Sequence, residues 1–365
     1  MIINSFSANN YRNIENLSLE PCGGINIIYG DNAQGKTNLL EGMWLFTGYK
    51  SFRGSRDAEL KSFGSDFARL TLEYTGNVRR IGCELTVDDK RKVKQNGVLL
   101  DSPSELIGGF LAVVFAPSHL SLVKSGPAAR RQFLDIAISR HSPRYSESLS
   151  RYRHALEERN SLLKDLRAHS ELYETCELWE QQLAAYGAAV VYDRYRYTAH
   201  LMQAAQEIYA GLCAGCEQLD VLYEPSGCKP DGVLNKKELA AQLANSYAQE
   251  RSKDISLQFT TTGPHRDDIA VKINSQDARS YGSQGQQRSA ALALKLGESR
   301  LIKEITGEVP VILLDDVMSE LDPGRQDYIL NKTEQTQVFI TCCEPTQALR
   351  ARTGREFKIN RGGLC

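Results

Sequence analysis

The chain has 365 residues and a net charge of −1: enough length for one large or two medium domains, and no global basic excess, so that any contact with nucleic acid falls to a local patch. Hydrophobic residues at 41% and charged residues at 24% allow a sizeable core, while no apolar run approaches the roughly 18 residues that cross a bilayer. The first residues lack the basic start, apolar stretch and cleavage site of a signal peptide, and nine scattered cysteines, an odd number, argue for reduced thiols; a cytoplasmic protein is expected.

In chain order, residues 2–8 and 16–20 alternate as strands around a turn, Asn9-Asn10-Tyr11-Arg12-Asn13. Arg12 lies near a bound nucleotide if these strands join the sheet that carries the phosphate loop, and is otherwise a solvated turn arginine. Residues 25–29 predict a short buried strand and 38–46 a helix. Between them stands Gly30-Asp31-Asn32-Ala33-Gln34-Gly35-Lys36-Thr37. This is G-x-x-x-x-G-K-[ST] in a strand–loop–helix setting, the Walker A pattern, whose backbone N–H groups and lysine hold nucleotide phosphates. The positive end of the helix dipole faces the same anion. A basic loop with interleaved aromatics follows, Tyr49-Lys50-Ser51-Phe52-Arg53-Gly54-Ser55-Arg56, suited to phosphate backbones or simply solvated.

Residues 67–75 and 79–87 predict strands, with Asp88-Asp89 and Asn96-Gly97 as hairpin turns. The basic run between those turns, Lys90-Arg91-Lys92 and Lys94, is a solvated edge or, secondarily, a DNA contact. Residues 110–115 are continuously apolar, as a buried strand requires. From Pro127 to Gly215 the pattern is long, charged and helical, predicting helical hairpins in a second lobe. Cys213-Ala214-Gly215-Cys216, with Cys228 nearby, has metal-ligand spacing, but zinc needs four ligands and no histidine stands close in sequence; helix-end cysteines are the other reading. A helix over 236–251, a polar loop over 260–268 and a strand over 269–274 follow. The loop Tyr281-Gly282-Ser283-Gln284-Gly285-Gln286-Gln287-Arg288 then opens an amphipathic helix over 289–305.

Residues 309–314 run apolar into Asp315-Asp316, the form of a Walker B strand. Asp315 at a strand end beside the phosphate loop holds Mg²⁺ together with the Thr37 hydroxyl, and Asp316 is set to polarise an attacking water. Lys36 and Asp315 stand near opposite ends of the chain, so the expected ATPase domain is split: 1–120 plus 255–365 as lobe I, interrupted by a helical insert, 121–254, as lobe II. Ser283, Gly285 and Gln286 form a second anion site at a helix mouth. Two such mouths on one chain suggest that two chains share each nucleotide.

Walker A, the Ser283–Gln286 loop, the acid pair and Asp322 occur in an order that resembles the ABC-type ATPase head. Four stretches resemble the RecF family more closely, bacterial recombination mediators related to SMC heads: Asn10-Tyr11-Arg12-Asn13; Phe115-Ala116-Pro117 through Val123-Lys124 to Arg130-Arg131-Gln132-Phe133-Leu134-Asp135; Thr261-Thr262-Gly263-Pro264-His265-Arg266-Asp267-Asp268; and Ser283 to Arg288. The resemblance covers essentially the whole chain. It implies an α/β fold, a P-loop ABC/SMC-type ATPase head with an inserted helical second lobe. It also implies a DNA-binding ATPase that takes ATP and Mg²⁺, dimerises on ATP with two nucleotides at the interface, and hydrolyses slowly. Implied partners are double-stranded and gapped DNA at double-strand/single-strand junctions, and RecR and RecO in loading recombinase. Arg12 is implied to approach the nucleotide, and Arg53, Arg56 and the basic residues near Arg130 to face DNA or the subunit interface. The sequence departs from transport ATPases where they carry Glu, with Asp316, and where they carry a switch His, with Cys342-Cys343. That leaves γ-phosphate sensing to Thr341 or to another group, and the glutamine-loop residue open around Pro117 to His119. A transporter ATPase subunit and an ATP-gated DNA clamp with little need of catalysis are the alternative readings.

Overall fold

The fully buried strands gather in one sheet, and most of the alternating strands in another. The computed structural model describes residues 1–166, 169–230, 234–345, Leu349 and 354–365. By contact density it forms two units: Met1–Leu120 with Glu207–Glu217 and Ala291–Cys365, and Ser121–Gln206 with Gln218–Ala290.

In the first unit, Ala112–Phe115, Val311–Asp315, Val338–Cys342, Ile25–Tyr29 and Gly354–Asn360 lie side by side in that order and run parallel. Every residue of Val311–Asp315 and Val338–Cys342 is buried, because a parallel sheet is covered on both faces. The short strand Gly363–Leu364 closes the sheet antiparallel. A second, antiparallel sheet takes the order Ile14–Leu19, Ile2–Tyr11, Ala68–Thr75, Arg80–Val87, Arg91–Gln95, Val98–Leu99. Its strands alternate, with Leu70, Leu72 and Tyr74 inward and Arg69, Thr71 and Glu73 outward, so one face is wet. The helix Lys36–Leu45 puts Leu39, Leu40, Met43 and Trp44 into one core with Phe6 and Leu72 of this sheet and Leu313 and Phe339 of the parallel one.

The first hairpin turns more tightly than the five-residue loop expected from sequence. Tyr11 pairs with Ile14, leaving Arg12 and Asn13 as the turn, and Asn10 and Arg12 take left-handed backbone at φ +51° and +56°.

The second unit contains the helices Pro127–Ser139, Pro143–Asp165 and Lys236–Leu257 and most of Tyr173–Leu212. It is not purely helical. Asp268–Ile273 pairs antiparallel with Leu219–Glu224, from Asp268 opposite Glu224 to Ile273 opposite Leu219, and with Gln276–Asp277. This pairing groups residues 255–290 with the helical unit, whereas the sequence division assigned them to lobe I; the strand over 219–224 carries too mixed a pattern to announce itself. Two buried arginines tie the unit together. Arg159 bonds Glu180 and Asp254 at 2.8 and 2.7 Å, and Arg194 bonds Asp135 and Asp267 at 2.8 and 3.1 Å. The Pro264 carbonyl also accepts from Arg194 at 2.7 Å, so the polar loop over 260–268 is a buried junction between helices, held because buried charges must be paired.

Candidate functional site

The phosphate loop is shaped by its two glycines. Gly30 and Gly35 adopt φ +149° and +107°. A Cβ on Gly30 would stand 2.2 Å from the Ile359 carbonyl oxygen, and one on Gly35 would stand 2.8 Å from Asn13 Oδ1, so backbone and space both demand glycine. Asp31, Asn32 and Ala33 are exposed at the loop tip, and Lys36 Nζ donates across the loop to the carbonyls of Gly30 and Asp31. Three distant segments brace it. Asn13 Nδ2 donates to the Ala33 carbonyl at 3.1 Å; Gly30 N donates to the Cys343 carbonyl at 3.2 Å, and Cys343 Sγ to Asn32 Oδ1 at 3.2 Å; Gly362 N donates to the Gln34 carbonyl at 3.1 Å and Arg361 N to the Gln34 side chain. The bracing by Cys343 and by residues 359–362 was not visible in the sequence, since neither stretch carries a motif.

The two Walker elements meet at one atom. Thr37 Oγ1 donates to Asp315 Oδ1 at 2.8 Å across 278 positions of sequence. Thr341 Oγ1 donates to the same oxygen at 2.8 Å and accepts the Asp316 N–H at 2.9 Å. Burial pushes the Asp315 carboxyl above its ordinary pKa, while the Thr37 and Thr341 hydroxyls pull it back toward the anion. A threonine hydroxyl and a carboxylate sharing one point are the hard oxygen donors that suit Mg²⁺ alongside phosphate oxygens. Asp316 leaves the strand at φ +52°, and Ser319 Oγ donates to its Oδ1 at 3.0 Å.

Arg12 reaches the phosphate-loop helix through Glu41. Its Nε and Nη2 donate to the two Glu41 oxygens at 3.0 and 2.8 Å, and further donors go to Ser55 Oγ at 2.6 Å and the Glu59 carbonyl at 3.0 Å, so the guanidinium is spent on protein groups. Burial opposes its charge, but the Glu41 bonds hold its pKa above the ordinary value. Glu41, fully buried, also accepts from Tyr11 Oη at 3.1 Å and from Ser51 Oγ. Glu41 carries no motif inside its apolar helix; the one signal for it in the sequence is its spacing of four from Thr37, since i and i+4 share a helix face. Arg53 Nη1 donates to Asn38 Oδ1 at 2.8 Å and lies 3.9 Å from Glu41.

Ser283 belongs to the second unit and is exposed. Its N–H donates to Gln286 Oε1 at 2.7 Å, and Gln286 N donates to Ser283 Oγ at 3.2 Å, a reciprocal cap at a helix start. The helix therefore begins at Gln284, with Gly285 in its first turn, and runs to Thr306, five residues before the start expected at 289, because a polar glycine-bearing cap has the composition of a loop. Asp322 caps Pro323–Lys332, accepting from Arg325 N at 3.0 Å. Of the stretch left open around Pro117 to His119, the His119 ring lies beside Phe52 and Phe115. Its Nδ1 accepts the Ala116 N–H at 3.0 Å, and burial and the Lys295 charge push its pKa down to about 3.

Among the described residues no group of three His, Cys, Asp or Glu could hold a metal between them. Cys213 Sγ donates to the Ala210 and Glu217 carbonyls at 3.7 and 3.5 Å. Among the described residues no helix is long and apolar enough to cross a membrane.

A family model described as an AAA domain matches residues 5–207. The DNA replication and repair protein RecF of Agathobacter rectalis is 41% identical over 344 residues, covering 94% of this chain and 92% of that protein. A solved structure of the recombination mediator protein RecF with ATP, in the RecFOR pathway, superposes with a TM-score of 0.91 at 36% identity, covering 100% of this chain and 97% of that one. An Smc head domain with an extended coiled coil from Pyrococcus furiosus superposes with a TM-score of 0.58 at 14% identity, covering 100% of this chain and 95% of that one, a likeness of fold alone.

Proposed function

The chain belongs to the RecF family of DNA replication and repair proteins and has an ABC/SMC-type ATPase fold, and from that premise we propose that it is an ATP-dependent DNA-binding protein of recombinational repair. In this reading it binds ATP with Mg²⁺, closes as a homodimer on double-stranded DNA at gaps or junctions, and helps load recombinase together with RecR and RecO. Slow, DNA-stimulated hydrolysis then opens the dimer. The observation that carries the reading is the 2.8 Å bond from Thr37 to Asp315, which holds the two halves of a phosphate-and-metal site together over nearly the full length of the chain. The solved RecF relative with ATP supports the choice of nucleotide for this chain.

The residues divide the work as follows. The N–H groups of residues 30–37 and the Lys36 ammonium neutralise phosphate oxygens. Thr37 and Asp315 hold Mg²⁺, which when bound supplies further neutralisation of phosphate charge. Asp316, on its own side of the left-handed turn, takes a proton from the attacking water; an aspartate, shorter than the glutamate of transport ATPases, fits slow turnover. Ser283, Gly285 and Gln286 of a second chain, with the N-terminal end of their helix, supply the opposite wall of the nucleotide site. Arg12 supports the nucleotide helix from the N-terminal turn. Residues 1–120 and 291–365 form the body of the ATPase lobe in this scheme. The transporter alternative loses ground to the family membership, while a clamp that needs ATP binding more than turnover stays compatible with the same site.

The test is hydrolysis with and without gapped duplex DNA. A rise in rate on gapped DNA, with DNA affinity falling steeply as salt rises, supports the reading; a rate indifferent to DNA overturns it.

A further inference from the structure

We propose that Thr341 is the positioning residue of the acid pair, one hydroxyl that fixes the carboxylate on the metal side and the backbone turn that carries the proton acceptor. The inference rests on the ATPase reading above. Thr341 is fully buried at the end of the strand next to Val311–Asp315, and its register partner is Asp315 itself. Its one proton goes to Asp315 Oδ1 at 2.8 Å and one lone pair receives the Asp316 N–H at 2.9 Å. A hydroxyl has a single donor, so Thr341 has none left with which to read a γ-phosphate; it acts through the two acids.

The second contact matters because of where Asp316 sits. At φ +52° it occupies the left-handed region, uncommon for a non-glycine residue though more accessible to aspartate than to most, and hydrogen bonds hold it there. The Thr341 oxygen receives the N–H that this turn brings inward, and Ser319 Oγ caps the same residue from the other side, donating to its carbonyl at 3.1 Å and its Oδ1 at 3.0 Å. On the first contact, Asp315 Oδ1 accepts from two hydroxyls, Thr37 and Thr341. Thr341 thus keeps one carboxylate orientation in place when Thr37 turns its oxygen to a cation. Removing the hydroxyl takes one hydrogen bond from each acid residue at once, leaving Asp315 to Thr37 and Asp316 to Ser319.

The test compares Thr341→Val, which keeps the shape and deletes the hydroxyl, with Thr341→Ser, which restores it. Three readouts are taken on the full chain: ATP binding without divalent cation, Mn²⁺ affinity by electron paramagnetic resonance with a non-hydrolysable ATP analogue, and the kcat and KM of hydrolysis on gapped DNA. The expected pattern is metal-free ATP binding within about 2-fold of the parent in both variants, and for Thr341→Val a loss of about 10-fold or more in Mn²⁺ affinity and kcat, the scale of a lost outer-shell partner. Thr341→Ser returns both to within about 3-fold of the parent, as only a role of the hydroxyl predicts. Parent-like Mn²⁺ affinity and kcat in Thr341→Val overturn the proposal, as does a Thr341→Ser variant as impaired as Thr341→Val. If Thr341→Val does not fold, Thr341→Ala takes its place as the hydroxyl-free variant under the same criteria. A parent chain with no hydrolysis at all contradicts the ATPase reading instead, and the Mn²⁺ arm then still decides the role of Thr341.

Discussion

Replacing Glu41 with glutamine should destabilise the first unit by about 3 kcal/mol. Four donors converge on its carboxylate: Tyr11 Oη, Arg12 Nε, Arg12 Nη2 and Ser51 Oγ. Glutamine offers one acceptor oxygen and turns an NH₂ toward the remaining donors, so at least one N–H or O–H faces another donor at a site with no exposure. Breaking one side of a buried ion pair costs about 3–5 kcal/mol, and the Arg12 side chain, 16% exposed, recovers some hydration, which points to the lower end. The assay is urea unfolding in a Trp179→Phe background, where Trp44, buried in the core on Glu41's own helix, is the only tryptophan left. A double-mutant cycle with Arg12→Met should return a coupling of about 2 kcal/mol, within the range for contacting charged groups. A loss under about 1 kcal/mol for Glu41→Gln, typical of an exposed ion pair, would refute the view that this carboxylate anchors the N-terminal turn and the Ser51–Ser55 loop to the nucleotide helix.

Other substitutions separate the parts of the site. Lys36→Ala should weaken ATP binding by at least about 100-fold in calorimetry, the loss of a charge-assisted phosphate contact worth about 2.7 kcal/mol. Asp316→Asn should leave ATP-driven dimerisation intact and cut hydrolysis by about 100-fold or more, the scale of a lost general base; unchanged DNA loading and release in that variant would favour the clamp reading. His119 gives a pH prediction. Its folded-state pKa, pushed down to about 3, lies below the ordinary 6.5 of an imidazole, so the unfolded chain binds the extra proton between those limits and stability falls as pH drops below 6.5. Between pH 7 and pH 5 this one group removes about 2 kcal/mol, and His119→Gln should shrink the measured loss by that amount; an unchanged pH slope would place the ring in water.

The legible parts of this molecule are those where one local pattern carries the whole instruction. The glycines, lysine and threonine of residues 30–37 announce their chemistry because the loop is built from its own backbone. The apolar run into Asp315 announces a buried parallel strand because such strands need no alternation. What stayed hidden depends on partners far away in sequence. The sequence division places Asp268–Ile273 in lobe I, and only the pairing with Leu219–Glu224, distant in sequence, groups it with the helical unit. Two of the three braces on the phosphate loop come from Cys343 and from Arg361-Gly362. The sequence points Arg12 at the nucleotide itself, whereas its hairpin joins the antiparallel sheet and its guanidinium bonds Glu41, a glutamate that resembles any polar residue on a helix. Ser283 was read for its hydroxyl and dipole, and the structure adds that Gln286 and Ser283 cap each other, which fixes the loop before any nucleotide arrives.

In the proposed arrangement the nucleotide joins two chains, the phosphate loop of one and the Ser283 loop of the other. Sedimentation velocity of the parent and of Ser283→Arg, with and without ATP, Mg²⁺ and gapped DNA, addresses it directly. The parent should move from 40.7 kDa to twice that mass only when ATP and Mg²⁺ are present, and Ser283→Arg should bind ATP yet stay at the single-chain mass. A parent that remains at the single-chain mass with ATP, Mg²⁺ and DNA, or a Ser283→Arg variant that doubles as the parent does, would contradict the shared site.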